Sequence, residues 1–184
     1  KDTKNVGEVT VTVTGKGNYS GTVQRKYQIT KAPLTVETQS DSKVYDGKPL
    51  TAPGTVKGFV EGENAELQLT GTQTAVGSSK NTYKIVWTET TKADNYQVSE
   101  TVGTLTVTDQ SIEDSKKITV GTLSNVVYTG KNQKQEPAVT TKDGKTTLVK
   151  ETDYTLSYSK DTKNVGEVTV TVTGKGNYSG TVQR

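Results

Sequence analysis

Residues 1–25 (KDTKNVGEVTVTVTGKGNYSGTVQR) recur without one change as residues 160–184, an offset of 159 positions in a chain of 184. Identity over 25 positions marks one full period of an array plus a short overlap, so whatever fold the chain adopts has to tile. The repeat also corrects the charge. The net charge of +3 counts four Lys/Arg and two Asp/Glu of the overlap twice, so one period carries +1. Arg occurs only at 25 and 184, and no basic helix or Arg cluster is present. The chain therefore lacks the electrostatic footprint of a nucleic-acid binder.

Thr is the commonest residue, 35 in all, and is interleaved with Val, Leu and Ile. Such residues suit a pleated, half-buried surface. Period-2 alternation predicts strands at 9–14, 34–38, 67–70, 83–88, 103–108 and 154–159. Turn signals stand at Asp46-Gly47, Asp143-Gly144 and Gly15-Lys-Gly-Asn18. No helical periodicity is sustained anywhere; 60–67 holds at most a short turn. The polar stretch DQSIEDS (109–115) interrupts the pattern and reads as a linker. No run approaches the roughly 20 apolar residues of a membrane span, so no membrane insertion is expected of this stretch of chain.

One period divides into two related halves. After residue 31 come Tyr45-Asp-Gly47, Val76-Gly77 and Asn95-Tyr96, closing on Leu105–Thr108. After residue 115 come Tyr128-Thr-Gly130, Val165-Gly166 and Asn177-Tyr178. The overlap shows how the second half ends, because Asn18-Tyr19 leads on to Tyr27-Gln-Ile-Thr30. The reading is of 1–30 as the C-terminal part of one module (YTG type), 31–108 as a second (YDG type), 109–115 as a linker, and 116–184 as a YTG-type module without its last strand.

The string KVYDGKPLTAPGTV, with GTQTAVGSSKNTY and ADNYQVSETVGTLTVT after it, resembles the YDG-type repeats of large bacterial surface proteins. DYTLSYSKDTKNVGEVTVTVTGKGNYSGT is similar to the companion repeats beside them in wall-anchored proteins of Gram-positive bacteria. The resemblance implies small all-β modules in tandem, extracellular, on a bacterial cell surface, and anchored to the wall through a region outside this stretch. The expected fold is an Ig-like β-sandwich for both modules; a β-grasp-like sheet is the alternative, and a long helix across a sheet would decide for it.

Tyr45, Tyr96, Tyr128 and Tyr178 recur at matched places. With one Trp and one Phe in the chain, they are expected to supply core bulk while their hydroxyls reach the rim. Gly47, Gly77, Gly130 and Gly166 are expected to take positive φ at turns, and Asn95 and Asn177 complete the recurring set, all read as structural. No catalytic, cofactor-binding or metal residue is assigned. Without His or Cys the common triads and zinc sites are excluded, and the chain is read as not an enzyme. Glu61 and Glu63 flank Gly62 at a solvated loop tip, and no calcium loop of the DxDxDG kind appears. A Lys–Asn or Thr–Gln cross-link would need a buried carboxylate beside an apolar pocket.

Two functions follow from this reading. In the first, the modules form the stalk of an adhesin and hold a distal binding domain away from the wall, with neighbouring repeats of the same chain as partners. In the second, each module engages a host glycan, mucin or protein weakly and the array multiplies the effect. Charge bears on the second: 31–108 carries net −2, whereas 116–184 with 26–30 carries net +6. Val should face inward and Thr outward in 9–14 and in 168–173. A piece of about 30 residues buries too little to order itself, so 1–30 is expected to be completed by another part of the array or by a neighbouring molecule.

Overall fold

The computed structural model describes residues 3–184; Lys1 and Asp2, which open the repeat, lie outside them. The chain is all-β. Among the described residues the helical content is one short 3-10 turn, Ala93–Asn95, so the long helix of a β-grasp is not found there. The strands fall into two compact units, neither of which coincides with a sequence module. One unit gathers residues up to Ser40 with Ala52–Gly71 and Lys80–Thr104; the other gathers Asp41–Thr51, Thr72–Ser79 and Leu105–Arg184. Each unit is thus assembled across a module boundary.

The strands run β1 (Gly7–Thr14), β2 (Thr22–Ile29), β3 (Ala32–Thr38), β4 (Asp41–Val44), β5 (Gly54–Lys57), β6 (Ala65–Leu69), β7 (Gly77–Lys80), β8 (Tyr83–Trp87), β9 (Tyr96–Thr101) and β10 (Thr104–Thr108). They continue as β11 (Gln110–Ser111), β12 (Ile118–Val120), β13 (Val139–Thr141), β14 (Tyr154–Tyr158), β15 (Val170–Gly174), β16 (Tyr178–Ser179) and β17 (Thr181–Gln183). Every stretch of alternation falls on a strand.

In the first unit β1 and β2 form an antiparallel ribbon, β5-β3-β9 a three-stranded sheet and β6-β8 a pair. Leu34 and Val36 of β3 are fully buried. The only Phe and Trp meet Tyr96 there: its ring lies 5.5 Å from Phe59, edge-on, and 5.8 Å from Trp87, stacked. Asn81 is wholly buried, and its amide donates to the carbonyls of Gln39 (2.9 Å) and Ala52 (3.0 Å), fastening the end of β3 to the approach of β5.

The second unit holds the sheets β4-β10-β7 and β14-β15-β17 and the pairs β11-β16 and β12-β13. Its core is Ile112, Ile118, Val120, Val139, Leu148, Tyr154, Val172 and Tyr178, flanked by Tyr45, Leu156 and Val182. Residues 109–115 are therefore no free linker. Gln110 and Ser111 pair in parallel with Tyr178 and Ser179, and Ile112, the one apolar residue of the stretch, lies in the core. Burial of that side chain draws the polar segment into the module, which begins near residue 110 rather than 116.

Among the strands of the described residues, β3 with β9, β4 with β10 and β11 with β16 pair in parallel. Two of them are equivalent. Ala32 lies opposite Tyr96, and Gln110 opposite Tyr178, so the first strand of each module runs beside the strand that follows its Asn-Tyr pair.

The repeated segment folds with one register in both places. Val13 faces Val23 as Val172 faces Val182, and Thr14 faces Thr22 as Thr173 faces Thr181. The surroundings differ. Val170 and Val172 are buried as the alternation requires, but Val13 is 62% exposed and Val11 is likewise open, although Val9 is buried. The inward placing of Val thus fails over most of β1, because that face of the ribbon is covered at Val9 and left open at Val11 and Val13.

Candidate functional site: the module junctions

The Asn-Tyr and Val-Gly pairs, which recur in each module, meet at both boundaries. In the first unit the Val6 N–H donates to Asn95 Oδ1 at 3.0 Å, and the Asn95 amide donates to Asn5 Oδ1 at 2.9 Å. In the second unit the Val76 N–H donates to Asn177 Oδ1 at 2.9 Å. The geometry is the same each time: the Val-Gly turn of one module is capped by the Asn of the next. Gly7, Gly77 and Gly166 share φ near 140° (143°, 137° and 139°), a conformation that side-chain-bearing residues rarely adopt, so the turn keeps its shape at every occurrence.

The Tyr beside each Asn is buried, Tyr96 within its own module and Tyr178 against the preceding one. Tyr96 is buried against Phe59 and Trp87; its hydroxyl donates to Glu63 Oε2 at 2.8 Å and accepts from the Val60 N–H at 3.2 Å. Burial first, and then the contact with Glu63, holds its phenol above the ordinary value. Tyr178 is buried too, and the ring of Tyr45 meets it edge-on at 5.5 Å. Burial is the main cause that raises its phenol. Here the YDG motif of one module touches the Asn-Tyr motif of the next. Beside Tyr45, the Asp46 carboxylate accepts from Lys43 Nζ and from the Lys48 N–H, and these bonds hold it below the usual carboxylate range.

The remaining motif residues lie elsewhere. Gly47 and Gly130 both have φ 75° at their turns. Tyr128 is more than half exposed and, with Gly166, lines an open cavity of about 510 Å³ at the end of the second unit. Sequence reasoning aligned the Val-Gly and Asn-Tyr pairs as landmarks within a module; it missed that they bond across boundaries, because the donor is a backbone N–H. It also missed Asn81, a lone polar residue with no recurring counterpart to mark it.

Among the described residues no group of three His, Cys, Asp or Glu is placed to hold a metal, and none of their Asp or Glu side chains is buried as a cross-link would need. Glu61 is exposed, and Glu63 is engaged by Tyr96. No helix among them is long and apolar enough to cross a membrane.

Residues 34–106 match the family model of the MBG domain (YGX type), in agreement with the YDG-type repeat read from the motifs. Searches of curated proteins and of solved structures return no match for this chain.

Proposed function

We propose that the chain is a structural repeat from the stalk of a bacterial cell-surface adhesin, extracellular and anchored to a Gram-positive wall through another region, which holds a distal binding domain away from the cell. The observation that carries the reading is the repeated junction. The recurring motif residues Asn95, Asn177, Tyr178 and Tyr45 are engaged by neighbouring modules of the same chain. A joint of one Asn-capped backbone hydrogen bond, used at successive boundaries, is what an array needs to repeat without a change of geometry. Parallel pairing of first and late strands supports the same role. Tension that pulls the two strands of such a pair apart lengthwise loads their hydrogen bonds together rather than one after another.

The test places arrays of one, two and four periods between a wall anchor and a reporter binding domain on a Gram-positive surface. Capture of a target beyond the reach of one period should rise with period number while binding of soluble target stays constant. Capture that is independent of period number would sink the stalk reading. The multivalent reading rests on the charge contrast between 31–108 and 116–184, and binding of the chain to immobilised mucin or sulfated glycan, lost in high salt, would favour it instead.

A further inference from the structure

Module 31–108 has chain on both sides of it, and its opening and closing stretches pair with each other. In the first unit β3 runs parallel to β9, from Ala32 opposite Tyr96 to Glu37 opposite Thr101. In the second unit β4 runs parallel to β10, from Asp41 opposite Leu105 to Val44 opposite Thr108. Partners stand 64 residues apart in both pairings (32 with 96, 41 with 105), so the register does not slip between them.

Between the two pairings the backbone ladder is interrupted, and side chains take it over. The Gly103 N–H donates to Thr38 Oγ1 at 2.9 Å, and the Thr104 N–H donates to Ser40 Oγ at 2.9 Å. Gly103 lies so near the opposite strand that a Cβ there would stand 2.3 Å from the Gln39 carbonyl. Asn81, in the turn between β7 and β8, reaches both stretches. Its amide donates to the Gln39 carbonyl, and its own N–H donates to the Gly103 carbonyl at 2.9 Å. Thr38, Asn81 and Gly103 are all buried, so water does not compete for these bonds and the low dielectric strengthens them.

Strand sense decides how such a module meets a pull. The chain enters it at Lys31 and leaves it at Asp109. Tension therefore draws β3 and β4 toward their N-terminal ends, and β9 and β10 toward their C-terminal ends. Parallel partners then slide past each other, and every bond of a ladder is sheared at once. Asn81 belongs to neither stretch, so it is not drawn along with either and resists the sliding of both. We propose that module 31–108 is a tensile clamp, in which Asn81 and the side-chain bonds beside it pin the opening stretch to the closing one. The clamp deepens the stalk reading, because a stalk is under tension whenever its distal domain is held. It is nevertheless a property of one chain and is measured on one chain.

Single-molecule force spectroscopy on the full chain is the test. The chain has no cysteine, and Lys31, Asp94 and Asp109 are exposed, so handles can be attached through K31C/D109C or through K31C/D94C. The first pair loads the ladders in shear. The second peels β3 from β9 at one end, where Ala32 lies opposite Tyr96, and opens the same bonds in turn. Rupture in shear, marked by release of up to about 280 Å of chain at about 3.6 Å per residue, should need several-fold the force of peeling. Asn81→Ala should lose a large part of the shear force and keep the peeling force. Leu67→Ala, in β6 and outside the clamp, should lower the urea midpoint with no comparable loss in shear. If Asn81→Ala does not fold, Thr38→Val removes the acceptor of the Gly103 N–H and should give the same pattern. Equal forces in the two directions would overturn the clamp. A variant at Asn81 or Thr38 that loses nothing in shear, or as much in peeling, would overturn the pin. Surface capture independent of period number, with the shear force intact, would dismiss the stalk and leave the clamp standing.

Discussion

Val13 and Val172 form a built-in control for burial: the same residue, in the same run of sequence on either side, exposed in one place and sealed in the other. Trimming Val172 to Ala removes two buried carbons' worth of transfer energy, about 1.6 kcal/mol at about 0.8 kcal/mol per CH₂. If about 40 Å³ stays unfilled, the void adds roughly 1 kcal/mol. Val172 is fully buried, so the whole sum of about 2.5 kcal/mol applies. Val13 is 62% exposed and leaves no void, so Val13→Ala should cost about 0.5 kcal/mol. The loss of strand propensity is common to both substitutions, and the local denatured chain is identical, so both cancel in the difference. Urea unfolding of dilute protein, followed by far-UV circular dichroism, measures it. With a slope near 2 kcal/mol per molar, the two midpoints should stand about 1 M apart. Equal midpoints would refute the different burial of the two copies.

Asn177→Ala should cost about 1 kcal/mol and speed amide exchange at Val76, and Asn95→Ala should do the same at Val6; unchanged exchange at those two amides would remove the junction bonds from the account. Asn81→Ala leaves the buried Ala52 carbonyl and the part-buried Gln39 carbonyl without this donor and should cost about 1–3 kcal/mol in chemical denaturation, more than an exposed substitution such as Gln97→Ala. Burial, and next the bond to Glu100, push the Tyr83 phenol up to about 12, and burial also raises Tyr96 and Tyr178. Their folded values lie above the unfolded value near 10. The stability these phenols contribute is therefore fully present below pH 10 and is lost as pH rises through their folded values. Urea midpoints at pH 9 and pH 11 should show the fall, with a smaller fall in Tyr83→Phe.

The strands that the sequence announced are those whose Thr/Val alternation reports one buried face: β1, β3, β6, β8, β10 and β14. The polar strands β4 (DSKV), β7 (GSSK) and β11 (QS) carried no such signal, because backbone pairing holds them and what they bury is little, in β4 and β7, or polar, as Gln110 in β11. Parallel pairing was equally silent, since its partners come from opposite ends of a module and no turn residue marks them. Of the candidate residues, Asn95, Tyr96, Asn177 and Tyr178 were found by recurrence, yet their task was hidden. A side chain that caps a backbone N–H in another module leaves no trace in the partner's residue type. Val11 and Val13 show the limit from the other side. Alternation reports which face a strand can bury, and only the neighbouring chain decides whether that face is covered.

The parallel pairing that opens each module fixes the order of events during synthesis. Ala32 cannot settle until Tyr96 has been made, nor Gln110 until Tyr178, and Val76 has to wait longer still for its cap from Asn177. At translation rates of about 5–20 residues per second, each opening strand stays without its parallel partner for roughly 3–14 seconds. The growing chain therefore carries a trailing window, about one module long, in which an upstream strand is waiting for its downstream partner. An identical partner sequence from another nascent chain would fit that gap. The neighbouring module within one chain, being divergent in sequence, would not. Alternation of two module types thus acts as a timing safeguard, keeping the nearest competitor a full period away while the gap is open.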